Sequence, residues 1–189
     1  MYSKEFERAI NHAMLYEVGG FWQLTPEVEA GLIGTRAQRR AVGYVNDPLD
    51  AGGETKFGVA KNANPEVNIA SLTWAGAKDI YYRKYWLAGK CDLMPPRIAM
   101  IHFDGCVNHG VKNAAKFLQR AVGADDDGLI GPATLAKLQQ FDEVTVCRNI
   151  GQQRVNFYKN IVANRPNQSR FLDGWLRRVN EVVEYVTAA

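Results

Sequence analysis

Apolar residues recur at helical steps along most of the chain. Phe6, Ile10 and Ala13 follow one another at steps of four and three, behind Ser3 as a capping hydroxyl and with Glu5 and Glu7 in the first turn. The pattern predicts an amphipathic helix over about 4–17. One further step of four reaches Glu17, which puts a carboxylate on the apolar stripe just before Gly19 and Gly20 stop the helix. From 21 to 43 the periodicity lapses into aromatics, glycines and the basic cluster Arg36, Arg39 and Arg40, so an irregular insertion is expected, with a short helical turn possible at 27–33. Residues 43–58, GYVNDPLDAGGETKFG, are dense in turn formers and predict a loop with short extended pieces. Helical periods then return over 74–88, where Trp74, Tyr81 and Tyr85 read as buried, and over 97–109, 113–122, 132–140, 142–162 and 170–186.

The expected class is therefore mainly α, with a small lobe of loop and short strands carrying the Gly-rich stretch. No Gly, Ser or Pro linker divides the chain. An N-terminal part over 1–95, interrupted by the insertion at 21–43, and a helical C-terminal part over 96–189 are expected to share one core. Phe103, Val107, Phe117, Leu118 and Val122 fall at helical spacings that need an apolar partner, and the N-terminal helix is the expected one.

Composition narrows the classes. With 189 residues, 47% of them hydrophobic and 23% charged, the chain suits a compact domain rather than a disordered tail or a disulfide-scaffolded miniature. The formal charge is +3, but the stretch from Arg148 onward holds seven basic and three acidic residues, leaving the rest at −1. That balance, with no basic-aromatic motif, gives no footing for nucleic-acid binding. Nothing approaches the roughly 20 apolar residues of a membrane span, and the first 20 residues have charges scattered through them, so a chain made and kept in the cytosol is expected. The amphipathic stretch 170–186 has a basic rim, but Gly174 and three acidic residues favour packing on the core over stable membrane insertion.

Chemistry concentrates in two places. An apolar face and the negative end of the helix dipole both disfavour the charged form of Glu17. A carboxyl raised to about 6 in this way can donate a proton to a glycosidic oxygen near neutral pH. The second place is the Gly-rich loop with Asp47, Asp50, Glu54 and Thr55. Asp47 before Pro48 suits a turn former, the spacing is not that of a calcium loop, and Asp50 could supply the second carboxylate that glycoside hydrolysis commonly uses. The Thr55 hydroxyl could hold a water or satisfy the turn backbone. Trp22, Tyr44 and Phe57 flank these segments and are the candidate sugar-stacking faces. Cys91, Cys106 and Cys147 are odd in number and irregular in spacing, and His12, His102 and His109 show no HExxH, so buried reduced thiols and no metal site are expected. A Cys106–His109 nucleophile pair would lie within one helix; packing accounts better for Cys106, and His109 next to Gly110 suits a helix cap.

The segments Glu17-Val18-Gly19-Gly20 and Tyr44-Val45-Asn46-Asp47-Pro48-Leu49-Asp50-Ala51-Gly52-Gly53-Glu54-Thr55-Lys56-Phe57-Gly58-Val59 together resemble the EGGYxNDPxDPGGxTxxGI signature of glycoside hydrolase family 108. This family comprises phage endolysins of the N-acetylmuramidase type and bacterial relatives. Phe103-Asp104-Gly105-Cys106-Val107-Asn108-His109-Gly110, Ala115, Leu118-Gln119 and Asp127-Gly128-Leu129-Ile130-Gly131-Pro132-Ala133-Thr134-Leu135 are similar to its C-terminal, peptidoglycan-binding-like region. The resemblance spans most of 4–186 and departs from the family at Val18 and in the roughly 23 residues separating EVGG from YVNDP. It implies a lysozyme-like helical fold in which Glu17 is the general acid, Asp50 the second carboxylate and Thr55 the threonine near the attacking water. It also implies that Asn108 contacts substrate, that no cofactor is used, and that a monomer acts on peptidoglycan glycan strands after release through a holin. A lytic transglycosylase, or a non-catalytic peptidoglycan-binding or secretion accessory protein, is the alternative.

Overall fold

The computed structural model describes residues 1–20, 22–47 and 52–188. The fold is mainly helical, and among the described residues its one sheet is a two-stranded antiparallel hairpin. No helix among them is long and apolar enough to cross a membrane. The chain divides into two compact units, one of Tyr2 and Glu7–Tyr82, the other of Met1, Ser3–Phe6 and Arg83–Ala189.

The first unit holds most of helix α1 (Lys4–Glu17), the short helices α2 (Pro26–Glu29) and α3 (Arg36–Ala41), the hairpin β1 (Thr55–Lys56) and β2 (Val59–Ala60), and helix α4 (Trp74–Tyr81). Helix α1 spans the residues its periodicity predicts. Ser3 Oγ accepts from the Phe6 N–H, and Phe6, Ala9, Ile10, Ala13 and Met14 are buried. The insertion is more ordered than its lapse in periodicity suggests. Thr25 caps α2, and Thr35 forms a reciprocal capping box with Gln38 at the start of α3. That Thr-x-x-Gln spacing was the available signal. Neither helix has an apolar stripe long enough to show as a period.

The second unit is a helical assembly around α5 (Pro96–His109), in which every residue from Ile98 to Cys106 is buried. Helices α6 (Val111–Ala121), α8 (Glu143–Asn164) and α9 (Leu172–Thr187) pack on it, with α7 (Pro132–Leu138) between α6 and α8 in the chain. Contrary to expectation, the main partners of α5 and α6 are α8 and α9. Phe117 meets Phe157 at 5.4 Å, whereas the N-terminal helix supplies Phe6, edge-on to Phe103 at 5.8 Å. Gly151 lets α8 and α9 approach, since a β-carbon there would lie 2.5 Å from Val183 Cγ2. Val179, Val182 and Val186 bury the apolar face of α9 and Trp175 stacks on Tyr158 at 4.8 Å, so this helix is used for packing.

One buried ion cluster joins three of these helices. Asp104 on α5 accepts from Arg154 on α8 at 2.6 Å and from Arg178 on α9 at 2.9 and 3.2 Å. Burial alone would raise the Asp104 carboxyl, but the two guanidinium groups overcome it and hold the group down to about 2. The Asp127–Leu135 motif is likewise structural. Gln119 donates to Asp127 at 2.7 Å and to the Leu129 carbonyl at 3.1 Å, and accepts from the Gly128 N–H at 2.8 Å.

The expected helix 74–88 changes character midway, where residues Tyr82–Leu87 form a π-helical turn. A wider turn advances the buried face by five residues rather than four, so Trp86 is buried after Tyr81 while Tyr85 is only half-buried. The expectation that Tyr85 is core therefore fails by one residue.

Candidate active site

Glu17 ends α1 and is half-buried. Beyond it the Val18 N–H still bonds the Met14 carbonyl at 3.0 Å, and Gly19 and Gly20 turn the chain away with φ of 73° and 78°. Val18, the residue that departs from the family's glycine, is buried at 5% exposure. The insertion then leaves and comes back to the same place. A β-carbon on Gly43 would lie 2.8 Å from Val18 Cγ1 and 3.5 Å from the Glu17 carbonyl oxygen, so the chain re-enters directly beside the residues from which it departed. The two separated halves of the signature thus meet, with α2 and α3 looped out between them. A shallow, mostly apolar depression lined by Thr25, Val28, Leu32, Ala37 and Ala41 lies entirely within that loop and includes neither Glu17 nor Thr55.

The Gly-rich stretch packs against the end of α1. Strands β1 and β2 pair Thr55 with Ala60 and Lys56 with Val59, leaving Phe57 and Gly58 as a two-residue turn with φ of 53° and 73°. Two positive φ values in succession match the right-handed twist of a tight hairpin. For Phe57 this conformation carries strain, which the surroundings hold in place. Its N–H bonds the Val42 carbonyl at 2.8 Å, and its carbonyl accepts the buried Tyr81 hydroxyl at 3.0 Å. Gly58 is where this turn meets Glu17. A β-carbon there would collide with the Tyr81 hydroxyl and lie 3.1 Å from both Cβ and Oε2 of Glu17. Tyr81, read from the sequence as core alone, therefore also pins the turn facing the carboxylate.

Thr55 is anchored on both sides, exchanging backbone bonds of 2.9 and 2.8 Å with Val45 while its hydroxyl donates to the Gly53 carbonyl at 3.2 Å. That hydroxyl proton is committed to the turn, and its lone pairs are the part left to accept from a water. Tyr44 is half-buried and donates to Glu54 Oε1 at 2.7 Å, a bond that pushes the phenol above its ordinary range. Lys56 is fully buried, with its ammonium donating to the Ala70 carbonyl at 2.8 Å, and burial pushes it below the ordinary lysine range. Asp47 is exposed, and Asp50 lies outside the described residues.

The candidate sugar-stacking residues fare differently. Phe57 is fully buried, its ring 5.6 Å from Trp74 and 6.3 Å from Trp22, so it is core and offers no face to a sugar. Its place beside the motif in the sequence is misleading because the tight turn points the ring inward. Trp22 is half-buried, donates to Asn11 Oδ1 at 3.3 Å, and packs on Trp74 at 4.6 Å. Asn108 belongs to the other unit, where it is exposed at the last turn of α5 and donates to the Tyr158 hydroxyl at 2.8 Å.

His109 does not pair with Cys106. Its ring sits among Phe117, Phe157 and Tyr158, and burial, helped by Arg154, lowers it to about 3, so it is neutral. All three cysteines are buried free thiols, as expected. The spacing that argued against a metal site nevertheless left one grouping unread. Among the described residues, Cys91, His102 and Cys106 in the second unit come together closely enough to hold an ion. The helical i, i+4 pair there is His with Cys, which a search for paired histidines passes over.

Comparison with known proteins assigns families to two consecutive regions of the chain. Residues 37–110 match the glycosyl hydrolase 108 family and residues 113–180 the predicted peptidoglycan domain family. No curated protein sequence matches the chain significantly. Among solved structures the chain is similar to SagA of Brucella abortus, at 26% identity and a TM-score of 0.71, over 97% of this chain and 94% of that one. The matched hydrolase span begins after Glu17, inside the insertion, so α1 joins the motif through the fold rather than through contiguous sequence. The chain thus carries a glycosyl hydrolase 108 region followed by a predicted peptidoglycan domain in a mainly helical, lysozyme-like fold, and the two regions together support a peptidoglycan hydrolase.

Proposed function

We propose that the protein is an N-acetylmuramidase, cutting the β-1,4 bond between N-acetylmuramic acid and N-acetylglucosamine, with Glu17 as the general acid. The observation that carries this is the packing of Gly58 against the Glu17 carboxylate. It sets the helix-end Glu beside the Gly-rich motif although an insertion separates them in sequence, which supports reading them as one site. Glu17 gives its proton to the glycosidic oxygen as the bond breaks. Positive charge builds on the sugar ring, and water adds to the anomeric carbon. Thr55, with its proton held by Gly53 and its lone pairs available, positions that water. Asp50 is the proposed second carboxylate.

The same proposal includes action as a monomeric endolysin, held in the host cytoplasm until a holin opens the inner membrane. Mass spectrometry of digested peptidoglycan tests the bond. Fragments with a reducing muramic acid end support a muramidase, whereas anhydro-muramic ends would establish a lytic transglycosylase and an unchanged polymer a non-catalytic protein. Expression in intact cells with and without a holin tests release. Periplasmic activity without a holin would contradict it.

A further inference from the structure

Cys91, His102 and Cys106 carry no metal signature in their spacing, yet their potential ligand atoms all lie within 4.8 Å of one another. The three side chains are buried, with exposures of 1%, 1% and 0%. His102 and Cys106 stand one turn apart on α5 and so share a face. Cys91 opens a short 3-10 turn, Cys91–Leu93, which the chain enters through Lys90 at a φ of 59°. Gly89 lets this segment close over α5. A β-carbon there would lie 2.8 Å from Cys106 Sγ and 3.3 Å from Cys91 Sγ.

The histidine ring points the same way. Its Nε2 lies 3.0 Å from the Gly89 carbonyl oxygen, which can only accept, so Nε2 carries a proton. In the neutral ring Nδ1 is then a bare lone pair, buried with no close hydrogen bond and with the Cys106 thiol as its polar neighbour. An imidazole whose far N–H is fixed by a backbone carbonyl, with its near nitrogen beside two sulfurs, is oriented as metal-ligating histidines are.

We propose that Cys91 Sγ, Cys106 Sγ and His102 Nδ1 form a structural site for a thiophilic d10 metal ion, Zn2+ or Cu+. Thiolate and imidazole donors suit either ion. On binding, each thiol loses its proton to solvent as its metal–sulfur bond forms, and no electron is transferred. Zinc–sulfur bonds of about 2.3 Å bring two sulfurs to roughly 3.8 Å, so the cluster contracts by about 1 Å or less. The ion would fasten the Gly89–Leu93 segment to the central helix of its unit.

The test uses the full chain, purified metal-free under a non-thiol reductant and titrated separately with Zn2+, Co2+ as a spectroscopic substitute, and Cu+. One equivalent retained after desalting, a thiolate-to-cobalt charge-transfer band, and a melting temperature raised by roughly 5 °C or more support the site. Competition between Zn2+ and Cu+ then identifies the ion. The C91S/C106S double variant is expected to lose the band and C147S to keep it. Should the double variant not fold, the wild-type titration decides alone. No band and no melting shift, with three free thiols counted in the denatured chain, would overturn the proposal. So would a Cys91–Cys106 disulfide in protein isolated without reductant, if the reduced chain takes up no metal.

Discussion

The two compact units hold a polar group in contrasting ways. Around Glu17 the means are backbone ones. Gly43 and Gly58 admit close approach where a β-carbon would collide, and Phe57 sits in a left-handed turn pinned by Tyr81. In the helical unit Asp104 is held by side chains, with Arg154 and Arg178 closing on it from two other helices. The first arrangement holds a half-buried carboxylate against a backbone turn, and in the proposed function that carboxylate meets substrate. The second satisfies a carboxylate completely and leaves it nothing further to do. Damage to the first should appear in turnover, and damage to the second in stability.

Glu17→Gln tests that separation most directly. Loss of a general acid should lower wall lysis by roughly 10³-fold or more while the melting temperature stays nearly unchanged. Substantial residual lysis by the purified variant would remove Glu17 from its role. Asp104→Ala should do the reverse, costing about 3–5 kcal/mol because it leaves two guanidinium groups without their buried partner. Denaturant unfolding measures the loss, and activity per folded molecule should change little. The pH dependence has a defined sign. The folded Asp104 carboxyl, at about 2, lies below its unfolded value of about 3.9, so its contribution is complete above the unfolded value. That contribution fades as pH falls through the interval toward about 2. A wild-type minus Asp104→Asn stability difference that stayed constant between pH 5 and 2 would contradict the charge assignment.

Thr55→Ala should lower turnover by about 10²-fold if the hydroxyl holds water, with a small cost in stability from the lost bond to Gly53. An unchanged rate would leave it a turn residue only. Tyr44→Phe has the smallest expected effect, about 1 kcal/mol or less in stability from the lost bond to Glu54, since that bond is only partly buried. A large fall in activity from this change would mean that the Tyr44–Glu54 pair belongs to the chemistry.

The helices α1, α5, α6, α8 and α9 were readable because each carries an apolar face long enough to repeat at the helical period. Glu17 stood out for the same reason, as a charge on such a stripe. The short capped helices of the insertion were not readable from periodicity, since four and six residues cannot establish a period. Their threonine caps were present but local. Phe57 was misassigned because proximity to a motif says nothing about which way a tight turn aims its side chain. Tyr85 and Trp86 exchanged roles because a π-turn adds one residue to the step, which an α-helical count cannot anticipate.

By itself, then, the sequence determined the mainly helical class, the positions of the long helices, and a carboxylate at a helix end and a Gly-rich turn, which only the family resemblance links as a hydrolase signature. These are properties of local period, capping and backbone freedom, and neighbouring residues suffice to specify them. Only the tertiary structure decided that Gly43 returns to Val18, that Gly58 lies against Glu17, and that Cys91 reaches the His102–Cys106 face of α5. Each of these depends on two segments approaching within a few ångströms. Such contacts are set by which atoms fit together in a packed interior, and no run of adjacent residues carries that information.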